Sequence, residues 1–202
     1  MRVLIFCRII FSVLLFSPGL ITAQGFKAGL MLGLATTQVD GDGYAGYDKP
    51  GLTAGAFVNR SFGDRWSGEM EIYYVEKGSR HTPKPDYGDY TFFKMSLNYV
   101  EVPLLIRTQM GKFLFDGGPS LAFLLNYGVE DANGPEEIQT PFKQIDFCSN
   151  IGVSYQLLSK LSLNWRFQYS MIPIRTMADL NSYRGLRKQW NDVLSFTLHY
   201  QF

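Results

Sequence analysis

Eight charged residues fall on the polar side of a period-2 reading of the chain: Lys27, Glu69, Glu71, Glu101, Arg107, Asp116, Asp146 and Arg166. Turned together into a narrow interior, such groups must pair and hydrogen-bond. An unpaired buried charge is too costly to keep. The set predicts an ion-pair network that plugs that interior. The chemical alternative is a proton or ion path lined by Glu101, Arg107 and Arg166.

Other reactive residue types are sparse. Asp40, Asp42 and Asp48 sit among glycines, a spacing that can bind calcium. The stretch lacks the bidentate glutamate of a calcium loop, so it reads as a surface turn. No metal-ligand set follows. His81 stands two residues from Ser79, but a nucleophile and base need a third group to orient them. The surrounding glycines and prolines offer none, so no catalytic residue and no enzyme activity is expected. His199 lies on a polar face near the chain end. No cofactor motif is present.

Two loop-like stretches carry opposite charge. Arg175, Arg184, Arg187 and Lys188 form a basic set, suited to lipopolysaccharide phosphates. Glu130, Asp131, Glu136 and Glu137 form an acidic one that would attract the first set and close a mouth between them.

These residues need strands to position them. Leu194, Phe196, Leu198, Tyr200 and Phe202 alternate with Ser195, Thr197, His199 and Gln201, one greasy face against one polar. Leu161, Leu163, Trp165, Phe167 and Tyr169 alternate with Ser162, Asn164, Arg166 and Gln168 in the same way. The full pattern gives strands over 25–36, 51–61, 66–77, 93–108, 113–125, 143–157, 161–172 and 190–202. Long Gly-, Pro- and Asp-rich gaps alternate with short ones. That layout predicts an all-β fold: an eight-stranded antiparallel up-and-down transmembrane β-barrel, with short periplasmic turns and long extracellular loops. A soluble barrel would share the alternation, with its polar face outward. Apolar runs of bilayer-crossing length favour the membrane version. Pro103 lies mid-strand, and a closed barrel has no edge to hide a missing N–H. A bulge facing the lumen beside Glu101 is expected there.

The chain has 202 residues, a formal net charge of +1 and 46% hydrophobic content. That balance gives no support to nucleic-acid binding. No apolar run of about 18 residues occurs in the body of the chain, so spanning helices are not expected. Arg2, Arg8, the apolar Ile9–Phe16 and the Pro18-Gly19 break read as a signal peptide over 1–23, leaving 24–202 as one barrel domain. The barrel would then hold one cysteine, Cys148, and no disulfide. Tyr200 and the terminal Phe202 fit a C-terminal signal for the barrel-insertion machinery.

Two stretches are more specific. Glu71-Ile72-Tyr73-Tyr74-Val75-Glu76-Lys77-Gly78-Ser79 and Leu97-Asn98-Tyr99-Val100-Glu101-Val102-Pro103-Leu104-Leu105 resemble the PorT-like family of outer-membrane β-barrel proteins. Phe26-Lys27-Ala28-Gly29-Leu30, Asp116-Gly117-Gly118-Pro119 and the Tyr200-Gln201-Phe202 end fit as well. The resemblance implies an eight-stranded barrel in the bacterial outer membrane. Its namesake is needed for a secretion route, but no residue here separates that role from a general one. The expected function is a non-enzymatic barrel, structural or surface-interacting, in contact with outer-membrane lipid. The alternatives are a secretion accessory bound to envelope proteins, a narrow pore, and a lipid-modifying enzyme.

Overall fold

The computed structural model describes residues 25–136, 138–178 and 186–202. The expected signal peptide lies outside these. Eight long strands form the wall: β1 (Phe26–Asp40), β2 (Lys49–Ser61), β3 (Trp66–His81), β4 (Phe93–Met110), β5 (Phe113–Asp131), β7 (Ile145–Leu158), β8 (Leu161–Ser170) and β10 (Leu186–Gln201). Two short pieces, β6 (Gly134–Pro135) and β9 (Arg175–Ala178), pair with β5 and β10 beyond the wall. Every neighbour pairs antiparallel, and β1 closes on β10 with Leu32 opposite Leu198. Closure leaves no edge, so each wall strand finds its hydrogen-bond partners within the protein.

Alternation decides what faces where. Leu30, Leu32, Leu34, Ile72, Leu104, Ile106, Trp165 and Phe196 point outward and are exposed. Glu71, Lys77, Glu101, Asp146 and Arg166 point inward and are buried. Apolar outside and charged inside inverts a soluble barrel, and lipid is the solvent that accepts it. Phe26, Trp66, Phe113, Tyr155 and Tyr200 ring the short-turn end on the outside, the position of an interfacial aromatic girdle.

Several strands run further than alternation suggests. β1 continues to Asp40, β3 to His81 and β5 to Asp131, while β10 begins at Leu186. The long gaps shrink accordingly, because hairpins keep pairing above the apolar band. On β5 the outward face changes from Leu121, Phe123 and Leu125 to Asn126, which bonds Asn98 across the ladder. The one register shift between β4 and β5 lies here, between Asn98 and Tyr99.

That shift corrects the expectation at Pro103. The proline is buried beside Glu101 as its face requires, but the pairs flanking it keep one register. The β3–β4 ladder runs from Met70–Leu104 to Tyr73–Glu101 and omits the two rungs between. The missing N–H is absorbed by skipped rungs and not by an inserted residue.

Gly78 shows a local necessity. Its φ of 134° lies where side chains are strained, and an added Cβ would stand 2.0 Å from the Met95 carbonyl oxygen. Its own carbonyl accepts the Thr37 hydroxyl at 2.8 Å.

Candidate functional site

The inward charges form two clusters stacked along the lumen. In the first, Lys77 Nζ lies 2.8 Å from Glu101 Oε2 and 3.9 Å from Asp146 Oδ2. It also sits 5.0 Å over the Tyr99 ring and 3.8 Å from Cys148 Sγ. Ser120 and Gln168 donate to Glu101. Ser170 and Asn191 each donate to Asp146 at 2.9 Å.

The second cluster lies nearer the short turns. Arg166 holds Glu71 through Nη1 at 2.6 Å and Nη2 at 2.8 Å, and Asp116 through Nε at 3.2 Å. Arg107 pairs with Glu69 and donates to Ser154 at 3.3 Å. Asn164 bridges Asp116 and Ser154 at 3.1 and 2.8 Å. A planar guanidinium with several fixed donors suits this work better than an ammonium. The chemistry available is charge compensation without bulk water.

Toward the long loops the lumen turns apolar. Val39, Met95, Val129, Phe142 and Ile174 are all buried in one cluster that stoppers that end. Toward the short turns it opens into a polar vestibule of about 150 Å³, lined among others by Asn59, Arg107, His199 and Gln201.

Seven of the eight expected lumen residues are thus brought together. Lys27 is the exception. It is exposed at the rim of the vestibule and forms no ion pair among the described residues. As the second residue of β1 it sits at the rim, where water solvates it in place of a carboxylate. Lys77 was missed, although it continues the inward series Glu69, Glu71, Tyr73, Val75. Reading the period through to the last residue of the expected strand would have found it.

The loop residues also have places. Arg175 lies 4.9 Å from the Phe142 ring, and Arg187 Nε donates to the Gly41 carbonyl at 2.6 Å. Lys188 is exposed, and Arg184 lies outside the described residues, as does Glu137. Glu130 pairs with Lys94 at 3.4 Å, so the acidic and basic loops are joined by no ion pair among the described residues. The stopper is apolar instead.

His81 is better held than its setting suggests. Nε2 lies 2.6 Å from Asp89 Oδ2, and Tyr44 stacks on the ring at 4.8 Å. The Thr91 amide and His81 hold the Asp89 carboxyl below its ordinary value. Ser79 is buried and makes no hydrogen bond to His81 among the described residues. Asp40 accepts from the Tyr169 hydroxyl at 3.1 Å, and Asp42 from the Tyr44 amide at 2.8 Å. Asp40 thus bonds across to β8, and Asp42 bonds within its own loop. Burial raises the Asp42 carboxyl. Tyr200 and Phe202 meet edge to face at 6.0 Å on the outer wall.

Comparison with known proteins agrees with this geometry. Residues 22–175 match the family described as outer membrane protein beta-barrel domain. The fold is similar to that of Ail, the attachment invasion locus protein of Yersinia pestis, solved in complex with the heparin analogue sucrose octasulfate. Identity is 11%, the TM-score is 0.51, and 88% of this chain and 99% of that chain are covered. A second Ail structure gives 12% identity, a TM-score of 0.50 and coverage of 88% and 99%. Neisserial surface protein A gives 14%, 0.48, and 88% and 97%. No curated protein matches the chain.

Proposed function

The chain belongs to the outer membrane protein beta-barrel domain family, and from that membership we propose a non-conducting, non-enzymatic barrel that acts through its surface loops. It is a small barrel protein of the bacterial outer membrane. The observation that carries the reading is the double closure of the lumen. Two ion-pair clusters fill its middle, and Phe142 and Ile174 join the apolar stopper above them. A blocked lumen has no transport to perform, which leaves the loops as the working surface.

The second loop supports this. Lys84 and Asp89 form a bridge that closes a tight turn, with backbone bonds of 2.8 and 3.3 Å. On that tip Tyr87 is 87% exposed and Tyr90 73% exposed. Rigid, amphipathic tyrosines on an ordered tip suit contact with a partner. Lys188 adds an exposed cation for lipopolysaccharide phosphate.

The test is single-channel recording of the purified protein in planar bilayers. No steady conductance is expected, and large steady channels would overturn the reading. A secretion accessory role is less favoured. The stretches that carry the PorT-like resemblance supply Glu71, Lys77, Glu101 and Pro103, which face the lumen and not a partner. Selective loss of exported proteins from a deletion strain would revive it.

A further inference from the structure

We propose that Glu69, Glu71 and His199 form a binding site for a divalent transition-metal ion at the floor of the periplasmic vestibule. One ligand atom from each residue lies within 4.8 Å of the others, and all three residues are buried. Glu69 and Glu71 project from the same face of β3, and His199 reaches them from β10 through the closed lumen.

The free valences point to a ligand. His199 Nε2 is engaged by Thr197 Oγ1 at 2.9 Å, while Nδ1 has no hydrogen-bond partner among the described residues. Glu69 pairs with Arg107 through Oε2, while Oε1 has no partner among them either. Two unpartnered polar atoms this deep are expensive to leave so. Phe57 stacks on the His199 ring at 5.2 Å and fixes its plane. Glu71 keeps a lone pair on each oxygen while Arg166 holds it.

Charge favours a cation. Three carboxyl groups, Glu69, Glu71 and Asp116, face two guanidinium groups, Arg107 and Arg166. With the carboxyls ionised and His199 neutral, the cluster is short of one positive charge. An imidazole among carboxylates selects zinc-like ions over calcium or magnesium. Ligand atoms around one zinc stand about 3.3 Å apart, given bond lengths near 2.0 Å. Closing the present spread of up to 4.8 Å to that spacing is the movement that binding requires. His199 lines the vestibule, so water from it completes the coordination and the ion has a route in. Lys27 and Lys160 at the rim are exposed, where salt screens them. The site opens away from the loops, so its fate is independent of the loop reading.

The test uses the untagged protein, extracted from outer membranes and folded as judged by heat-dependent gel mobility. It is titrated with Co²⁺ and then with Zn²⁺. One saturable site per barrel is expected, with visible Co²⁺ bands that Zn²⁺ abolishes. H199Q and E69Q should each weaken binding about tenfold or more, while H81Q in the second loop leaves it unchanged. Folded wild-type protein with no saturable Co²⁺ or Zn²⁺ site overturns the proposal without any variant. Binding that survives H199Q and E69Q, or that disappears in H81Q, overturns it equally.

Discussion

Arg166 grips Glu71 with both terminal nitrogens, at 2.6 and 2.8 Å, across a lumen in which both side chains are buried. The two residues lie on β8 and β3, which are not neighbours in the wall. Their contact ties opposite sides of the barrel together.

Arg166→Met strands Glu71 and Asp116 without their cation. Removing one partner of a buried pair costs about 3–5 kcal/mol. The unfolding free energy from denaturant titration in detergent should fall by that amount. Adding Glu71→Met to the same chain should recover part of the loss, because the orphaned charge goes with it. A double variant no better than the single one would mean that the pair is not the source.

Gly78→Ala meets both a strained backbone angle and the Met95 carbonyl oxygen. Strain of this kind costs on the order of 1–3 kcal/mol. Heat-dependent gel mobility should show the folded band lost at lower temperature. Gly63→Ala serves as the control, because an added Cβ there meets nothing within 4 Å.

Cys148 is fully buried beside Lys77. A polar maleimide should leave it unmodified in the folded barrel and label it completely after unfolding. Mass spectrometry reads both states. Labelling of the folded protein would mean that the lumen admits bulk solute.

Asp42 tests the first loop by pH. Burial raises its carboxyl above the ordinary value of 3.8, so the folded loop binds that proton more tightly than the unfolded chain does. Stability contributed there is full at low pH and is lost as pH rises from the ordinary value through the raised one. Asp42→Asn should therefore raise the thermal midpoint near neutral pH and flatten its rise on acidification. Thermal scans across that range check the sign.

The fold was written in the strand periodicity. Alternation alone places Leu30, Leu32 and Leu34 outward and Glu69, Glu71 and Arg166 inward, since one residue of slip would reverse every face. Strand ends were less legible. Asn98 and Asn126 continue a ladder above the lipid, where the faces exchange character and the inward side turns apolar, so Lys77 fell at an expected boundary and was passed over. The vestibule floor was hidden for another reason. Glu69 and His199 lie far apart in the chain, on β3 and β10, and only closure of β1 on β10 brings them near. Pro103 signalled a disturbance correctly, but nothing in the sequence tells skipped rungs from a bulge.

The β4–β5 hairpin has strands of 18 and 19 residues. At about 3.3 Å per residue the longer one runs roughly 60 Å, and a tilt of roughly 40° leaves it about 45 Å tall against an apolar band of about 25 Å. The turn of this hairpin lies at the periplasmic end, so the surplus height stands at its open end, where Phe93 pairs with Asp131. Whatever touches this cell surface meets that raised rim before it meets the lipid headgroups.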